Sequence, residues 1–256
     1  MRIALPLLLL AAACGGHARS SIGNQTAGGP LGPAPTVAWQ ATSDGDFSGD
    51  FVITGAPGLS ADGSRVLLAK RGEDGARGAP NLALEVRDRD DRQLAHLVVM
   101  TPEQGEAYGG GAETPAAPPD LGPANAWIAG EHAKANFAPM TATDAVDGTE
   151  TEAQEQAGEV PPRLATVGAL VVSFDEGAHL IITDGGKPVL DRTMSAWQPP
   201  SYPMYQGAGP DEQCFNPVYL QRVYVDAAHH LAVLEVAFRG TDTCWEPDDE
   251  FHVVTW

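Results

Sequence analysis

The chain has 256 residues, enough to bury a full core in one domain or in two small lobes at most. Lys and Arg total 15 against 34 Asp and Glu, and a formal charge of -19 sets the chain against nucleic acid and anionic membrane surfaces as partners. Aromatic content is 7% while 29 residues are Gly and 21 are Pro, which predicts many turns and some length outside the core.

The N-terminus has the layout of an export signal. Arg2 is followed by an apolar run, Leu5 to Ala13, interrupted by Pro6, and Ala11, Ala12 and Ala13 precede Cys14 and Gly15. The run is too short to span a bilayer as a mature helix. Small residues directly before a cysteine resemble a bacterial lipobox, although Ala11 stands where Leu is usual. The resemblance implies cleavage after Ala13 and acylation of Cys14; an ordinary signal peptide cut near Ala13 is the alternative. Losing Arg2 takes the formal charge from -19 to -20. Three fatty chains anchor firmly where a single chain binds marginally, so the membrane enters as a partner through the lipid alone. Residues 14–35, rich in Gly, Ser and Pro, read as a flexible tether.

Beyond the tether, Val37 to Thr42 and Phe51 to Thr54 read as strands. Asp62-Gly63 ahead of Arg65 to Ala69 is hairpin chemistry, because both residues tolerate positive φ. Leu82, Leu84 and Val86 alternate with Ala83, Glu85 and Arg87, the pattern of a half-buried strand, and Gln93 to Met100 follows as a second run. Thr101 to Asp120 reads as loop. Pro123 suits a first helical position, Ala124, Trp127, Ile128 and Ala135 share a helical face, and Pro139 would stop the helix, so one short helix is expected over about 123–138. Thr141 to Pro162 carries Asp144, Asp147, Glu150, Glu152, Glu155 and Glu159 without one base, which predicts a mobile acidic loop. A meander of short strands follows: Gly168 to Phe174, His179 to Thr183, a turn at Asp184 to Gly186, then Val189 to Asp191. Trp197 to Pro210 reads as loop. Val218 to Val225, His230 to Arg239 and Phe251 to Trp256 form the last strand block.

An acidic turn precedes a strand three times, at Asp62, at Asp175 and at Asp226. The first copy looks like the S-x-D-G turns of propeller blades, but three irregular copies are too few to close a propeller. Leu59 to Leu68 with Pro80 to Asp88, and Gly240-Thr-Asp-Thr-Cys-Trp-Glu-Pro before Phe251-His-Val-Val, resemble segments of bacterial secreted proteins and lipoproteins with no assigned activity. That resemblance implies no particular chemistry.

Of three cysteines, the lipid takes Cys14, and export leaves Cys214 and Cys244 to pair in an oxidising compartment around the predicted strand pair. Asp44, Asp46 and Ser48 place oxygen side chains at positions 1, 3 and 5, with Gly49 at 6, Asp50 at 7 and the apolar Phe51 at 8, of a loop that resembles half of an EF-hand, yet Gly55 stands where the bidentate Glu belongs and no helix flanks the loop; calcium is the one cofactor this suggests. Asp242, Trp245, Glu246 and Asp248 form an acidic, aromatic segment suited to a cation, a sugar or a basic partner. Catalytic signatures such as G-x-S-x-G and H-E-x-x-H are absent, and paired carboxylates for glycoside hydrolysis are not legible in a sequence. The expectation is a β-rich α+β domain over 36–256, with antiparallel meanders in one or two small twisted sheets and disulfide-stapled C-terminal strands. It would hang from a bacterial membrane, the outer one by the residues after Cys14, facing the periplasm or exterior. Its role would be binding or structural, with an envelope protein or glycan as partner. A glycan hydrolase and a calcium-stabilised module are the alternatives.

Overall fold

In this computed structural model the described residues are 32–41, 49–73, 79–108, 117–148, 162–175, 177–197, 202–203, 213–214, 218–238 and 249–256. They are mostly antiparallel strand. β1 (Thr36–Ala41) and β2 (Gly49–Thr54) form a two-stranded ribbon. β3 (Gly58–Leu59), β4 (Arg65–Glu73), β5 (Pro80–Asp88) and β6 (Gln93–Met100) follow as a meander. After a single helical turn, α1 (Pro102–Gly105), comes the longer helix α2 (Gly122–Ala135). β7 (Ala138–Pro139), β8 (Ala142–Asp144) and β9 (Val146–Asp147) are short. β10 (Arg163–Val167), β11 (Leu170–Phe174), β12 (His179–Asp184) and β13 (Lys187–Thr193) make a second meander. β14 (Tyr202–Pro203) pairs with β15 (Gln213–Cys214), and β16 (Val218–Asp226), β17 (Leu231–Phe238) and β18 (Glu250–Thr255) make a third meander.

Three larger sheets result, ordered β6-β5-β4-β3-β7, β18-β17-β16-β8 and β13-β12-β11-β10-β9. The four-stranded sheet is the middle layer. Leu231, Val233, Phe251 and Val253 pack on Leu59, Val66 and Leu68 of the first sheet. From the other face, Ala232, Leu234, Val236 and Val254 pack on Leu170, Val172, Leu180 and Ile182 of the third. All eight residues of β17 are therefore buried, which explains an almost unbroken apolar run rather than an alternating one. The far face of the first sheet, Leu67, Leu82, Leu84 and Val86, is covered by α2 and the β1–β2 ribbon.

Local chemistry accounts for the connections. At each of the three acidic turns the Asp carboxylate accepts a backbone N–H two to four residues on: Asp62 from Ser64 (3.0 Å), Asp175 from His179 (2.9 Å) and Asp226 from His229 (2.9 Å). The recurrent unit is thus a shared Asx-type turn, one in each sheet. The Ser60 hydroxyl, with Ser64, holds the Asp62 carboxyl down to about 2 despite partial burial. Gly63 has φ +67, and a Cβ there would run into the His229 ring, so glycine is required twice over. Helix α2 ends at Asn136, which takes the left-handed conformation with φ 51, three residues before Pro139. Asn125 fastens the ribbon to the helix by bonding the Val37 N–H and C=O, both at 2.9 Å.

Several expectations are corrected. β5 is not half-buried: Glu85 is 5% exposed, because its face of the strand meets the middle sheet. Thr101 opens a helical turn rather than a loop, through a capping box with Gln104. The acidic stretch after Thr141 begins as ordered strand, since β8 pairs with β16 and β9 with β10; its residues 149–161 lie outside the described residues. Five sheets stand where one or two were expected. The disulfide staple is not seen. Among the described residues there is no disulfide; the backbone of Cys214 pairs with Tyr202 in β14–β15, and Cys244 lies outside the described residues. Cys14 and the tether up to residue 31 also lie outside them, and no described helix is long and apolar enough to cross a membrane.

Candidate functional site

β16 begins with Val218 and Leu220 against the third sheet, and it ends with Val223 and Val225 on that side. Even positions have given way to odd ones because Gln221 is the extra residue of a bulge, where the register shifts between Leu220 and Arg222. The bulge turns Arg222 and Tyr224 toward the first sheet, the side that Glu235 of β17 also faces. Without it the guanidinium and the phenol would enter an apolar layer.

The three groups form one cluster. Tyr224 donates its hydroxyl to Glu235 Oε2 at 2.9 Å, and Arg222 Nη1 donates to Oε1 and Oε2 at 3.2 and 3.4 Å. Arg222 Nε reaches across to Asp144 of β8 at 3.0 Å. Glu235 is 6% and Tyr224 7% exposed, so the acid is held by its partners rather than by water. The charge of Glu235 raises the Arg222 guanidinium further above its ordinary range, against the effect of burial. Burial first, and then the Glu235 carboxylate, push the Tyr224 hydroxyl well above the usual phenol range, so it stays a donor.

This cluster lines a cleft of about 400 Å³ together with Phe51, Val52 and Ile53 of β2, the Ala56–Pro57 segment and Arg71 of β4. Asp249 and Phe251 line it as well. Arg71 is itself paired, Nη1 to Asp50 Oδ2 at 2.8 Å. Of the lining residues Arg71 and Arg222 are cations and Glu235 and Asp249 acids, while Asp50 and Asp144 bond the two arginines from outside the lining. Gln221 adds a buried Oε1 without a hydrogen-bond partner. Apolar side chains, arginines already paired with acids and the Gln221 acceptor suit a ligand that brings donors.

Both acidic segments singled out in the sequence lead into these walls. Asp44, Asp46 and Ser48 lie outside the described residues, but Asp50 is bonded to Arg71, and Phe51 lines the cleft. Asp242, Trp245, Glu246 and Asp248 also lie outside, and the chain re-enters at Asp249 on the cleft's edge. Among the described residues, no three His, Cys, Asp or Glu side chains are grouped as metal ligands. Arg222, Tyr224 and Glu235 were missed by motif. Two signals marked them: a shift in the apolar phase of Val218-Tyr-Leu-Gln-Arg-Val-Tyr-Val, and a lone acid inside the run Leu231 to Phe238. No protein-family model matches the chain, and neither a curated protein nor a solved structure is significantly similar to it.

Proposed function

We propose that the protein is an extracytoplasmic lipoprotein, anchored through Cys14, whose β-rich domain binds a basic segment of an envelope partner in the Arg222–Tyr224–Glu235 cleft. The observation that carries the reading is that both arginines of the cleft are already paired with carboxylates, Arg71 with Asp50 and Arg222 with Glu235 and Asp144, so the cleft is ill suited to an anion and better suited to a cation. In the sequence, the residues leading up to Asp50 and Asp249, 44–49 and 242–248, carry further acids. Calorimetry of the detergent-solubilised protein with a lysine-rich peptide tests it. Binding should weaken with salt, and Asp249→Asn should reduce affinity by about 3- to 10-fold, roughly 1 kcal/mol. Absence of heat with the wild type, or no salt dependence, would sink the reading.

The address has its own test. Palmitate labelling and membrane partitioning should be lost in Cys14→Ser, and a variant that stays with the membrane would disprove the anchor. A Cys214–Cys244 staple belongs to the same reading, because export brings both thiols into an oxidising compartment. Closing a loop of about 30 residues would contribute roughly 3.6 kcal/mol on the chain-entropy model.

One observation favours a second reading, a glycan hydrolase: Glu235 and Asp249 line the same cleft. Such an enzyme needs two carboxyls roughly 5 to 10 Å apart flanking the scissile bond. Calcium is the weaker idea, since the Asp50 carboxylate is engaged by Arg71.

A further inference from the structure

A second pocket, of about 420 Å³, lies where the β5–β6 turn, the end of β13 and β18 meet. Arg89, Asp91, Arg192, Trp197, Val253 and Thr255 line it. Its carboxylates are committed within the protein. Asp91 accepts from Arg87 Nη1 and the Val253 N–H, both at 2.9 Å, and pairs with His252 Nδ1 at 2.9 Å. Asp90, also on the wall, pairs with Arg92 at 2.9 Å.

Among the described residues its guanidiniums meet no carboxylate. Arg89 spends one donor, Nη2 to the His229 carbonyl at 2.7 Å, and Arg192 spends one, Nε to Met194 Sδ at 3.2 Å. Each guanidinium has five N–H donors. Among the described arginines only Arg65, Arg89 and Arg192 meet no carboxylate, and two of these three line this one pocket. In a chain with 34 acids and 15 bases, cations left without acids are the exception. The Thr255 hydroxyl adds a further donor. Trp197 is clamped between Phe174, with ring centroids 5.9 Å apart, and His252 at 4.0 Å, so it presents a fixed apolar edge rather than a mobile side chain.

We infer that this pocket binds a small organic carboxylate, its oxygens held by Arg89 and Arg192 and its apolar body against Trp197. Planar forks of N–H donors match a carboxylate in two-point fashion, and a pocket of this volume suits a small molecule. The site is separate from the cleft proposed above and does not depend on it. Benzoate is the probe, with inorganic phosphate as the comparison, on the full-length protein in detergent. Millimolar benzoate should raise Tm and give a calorimetric isotherm. Arg192→Gln, an exposed change, should weaken binding at least tenfold, as should Arg89→Gln. Neither heat nor a Tm shift, undiminished binding in Arg192→Gln, or phosphate binding as tightly as benzoate would each overturn the assignment.

Discussion

Replacing Arg87 with Met is expected to lower the stability of the domain by about 3–5 kcal/mol, the cost of leaving buried charge without its partner. Arg87 lies at the contact of the first and middle sheets. It bonds Glu85 through Nη2 at 2.7 Å and Asp91 through Nη1 at 2.9 Å, and it donates to the carbonyl of Phe251 in β18. Glu85 has a side chain 7% exposed, and its one other cation among the described residues, Lys70, is 4.0 Å away. Methionine fills the space and removes the charge, so Glu85 loses its close partner, Asp91 keeps only His252 and the Val253 N–H, and β18 loses a backbone tie. Urea unfolding should show a lower midpoint with an unchanged slope. A loss within 1 kcal/mol would mean that water already serves Glu85.

The same network sets the acid limb of stability. Burial would raise the Asp91 carboxyl, but hydrogen bonds from His252, the Val253 N–H and Arg87 outweigh it and hold the group below its ordinary value. A carboxyl depressed in the folded state contributes stability that is complete above its unfolded pKa, about 3.9, and is lost as pH falls through the folded value. Stability should therefore decline below about pH 4, and Asp91→Asn should flatten that decline.

The strands and α2 were legible because their signals are local. Apolar alternation, Asp-Gly turns and Pro123 act over a few residues, and most of their elements formed within a residue or two of where they were expected, although α2 stops three residues early, β4 runs on to Glu73 and β10 was not foreseen. What the sequence hid is what depends on partners far along the chain. The stretch after Thr141 looked too acidic to order, yet Asp144 meets Arg222, 78 residues on, and Asp147 meets Arg163. The missing bases were in other strands. Glu85 reads as a solvent-side residue until the middle sheet covers it. The stacking of three sheets is likewise beyond local patterning, although the unbroken run of β17 was a hint that one strand lay buried on both faces. For the candidate cleft, the sequence marked two acidic segments that end at Asp50 and Asp249 and missed the Arg222–Tyr224–Glu235 cluster, because a bulge carries no motif.

That cluster carries the second large effect. Glu235→Ala should cost about 2–4 kcal/mol, since it leaves the buried Tyr224 hydroxyl without an acceptor and Arg222 with only the exposed Asp144. Glu235→Gln keeps an acceptor for Tyr224 and loses only the ion pair, so about 1–2 kcal/mol is expected. The two variants separate packing from charge: both should weaken the lysine-rich peptide, whereas a cleft that binds by shape alone would spare the Gln form. Tyr224→Phe adds an alkaline readout. A phenol raised in the folded state contributes stability that is complete below its unfolded pKa, about 10, and is lost as pH rises through the folded value. The wild type should thus weaken above about pH 10 more steeply than the Phe variant. If Glu235→Ala and Tyr224→Phe prove additive, the cluster is not a unit; coupling of about 0.5–3 kcal/mol is what a shared hydrogen bond at 2.9 Å requires.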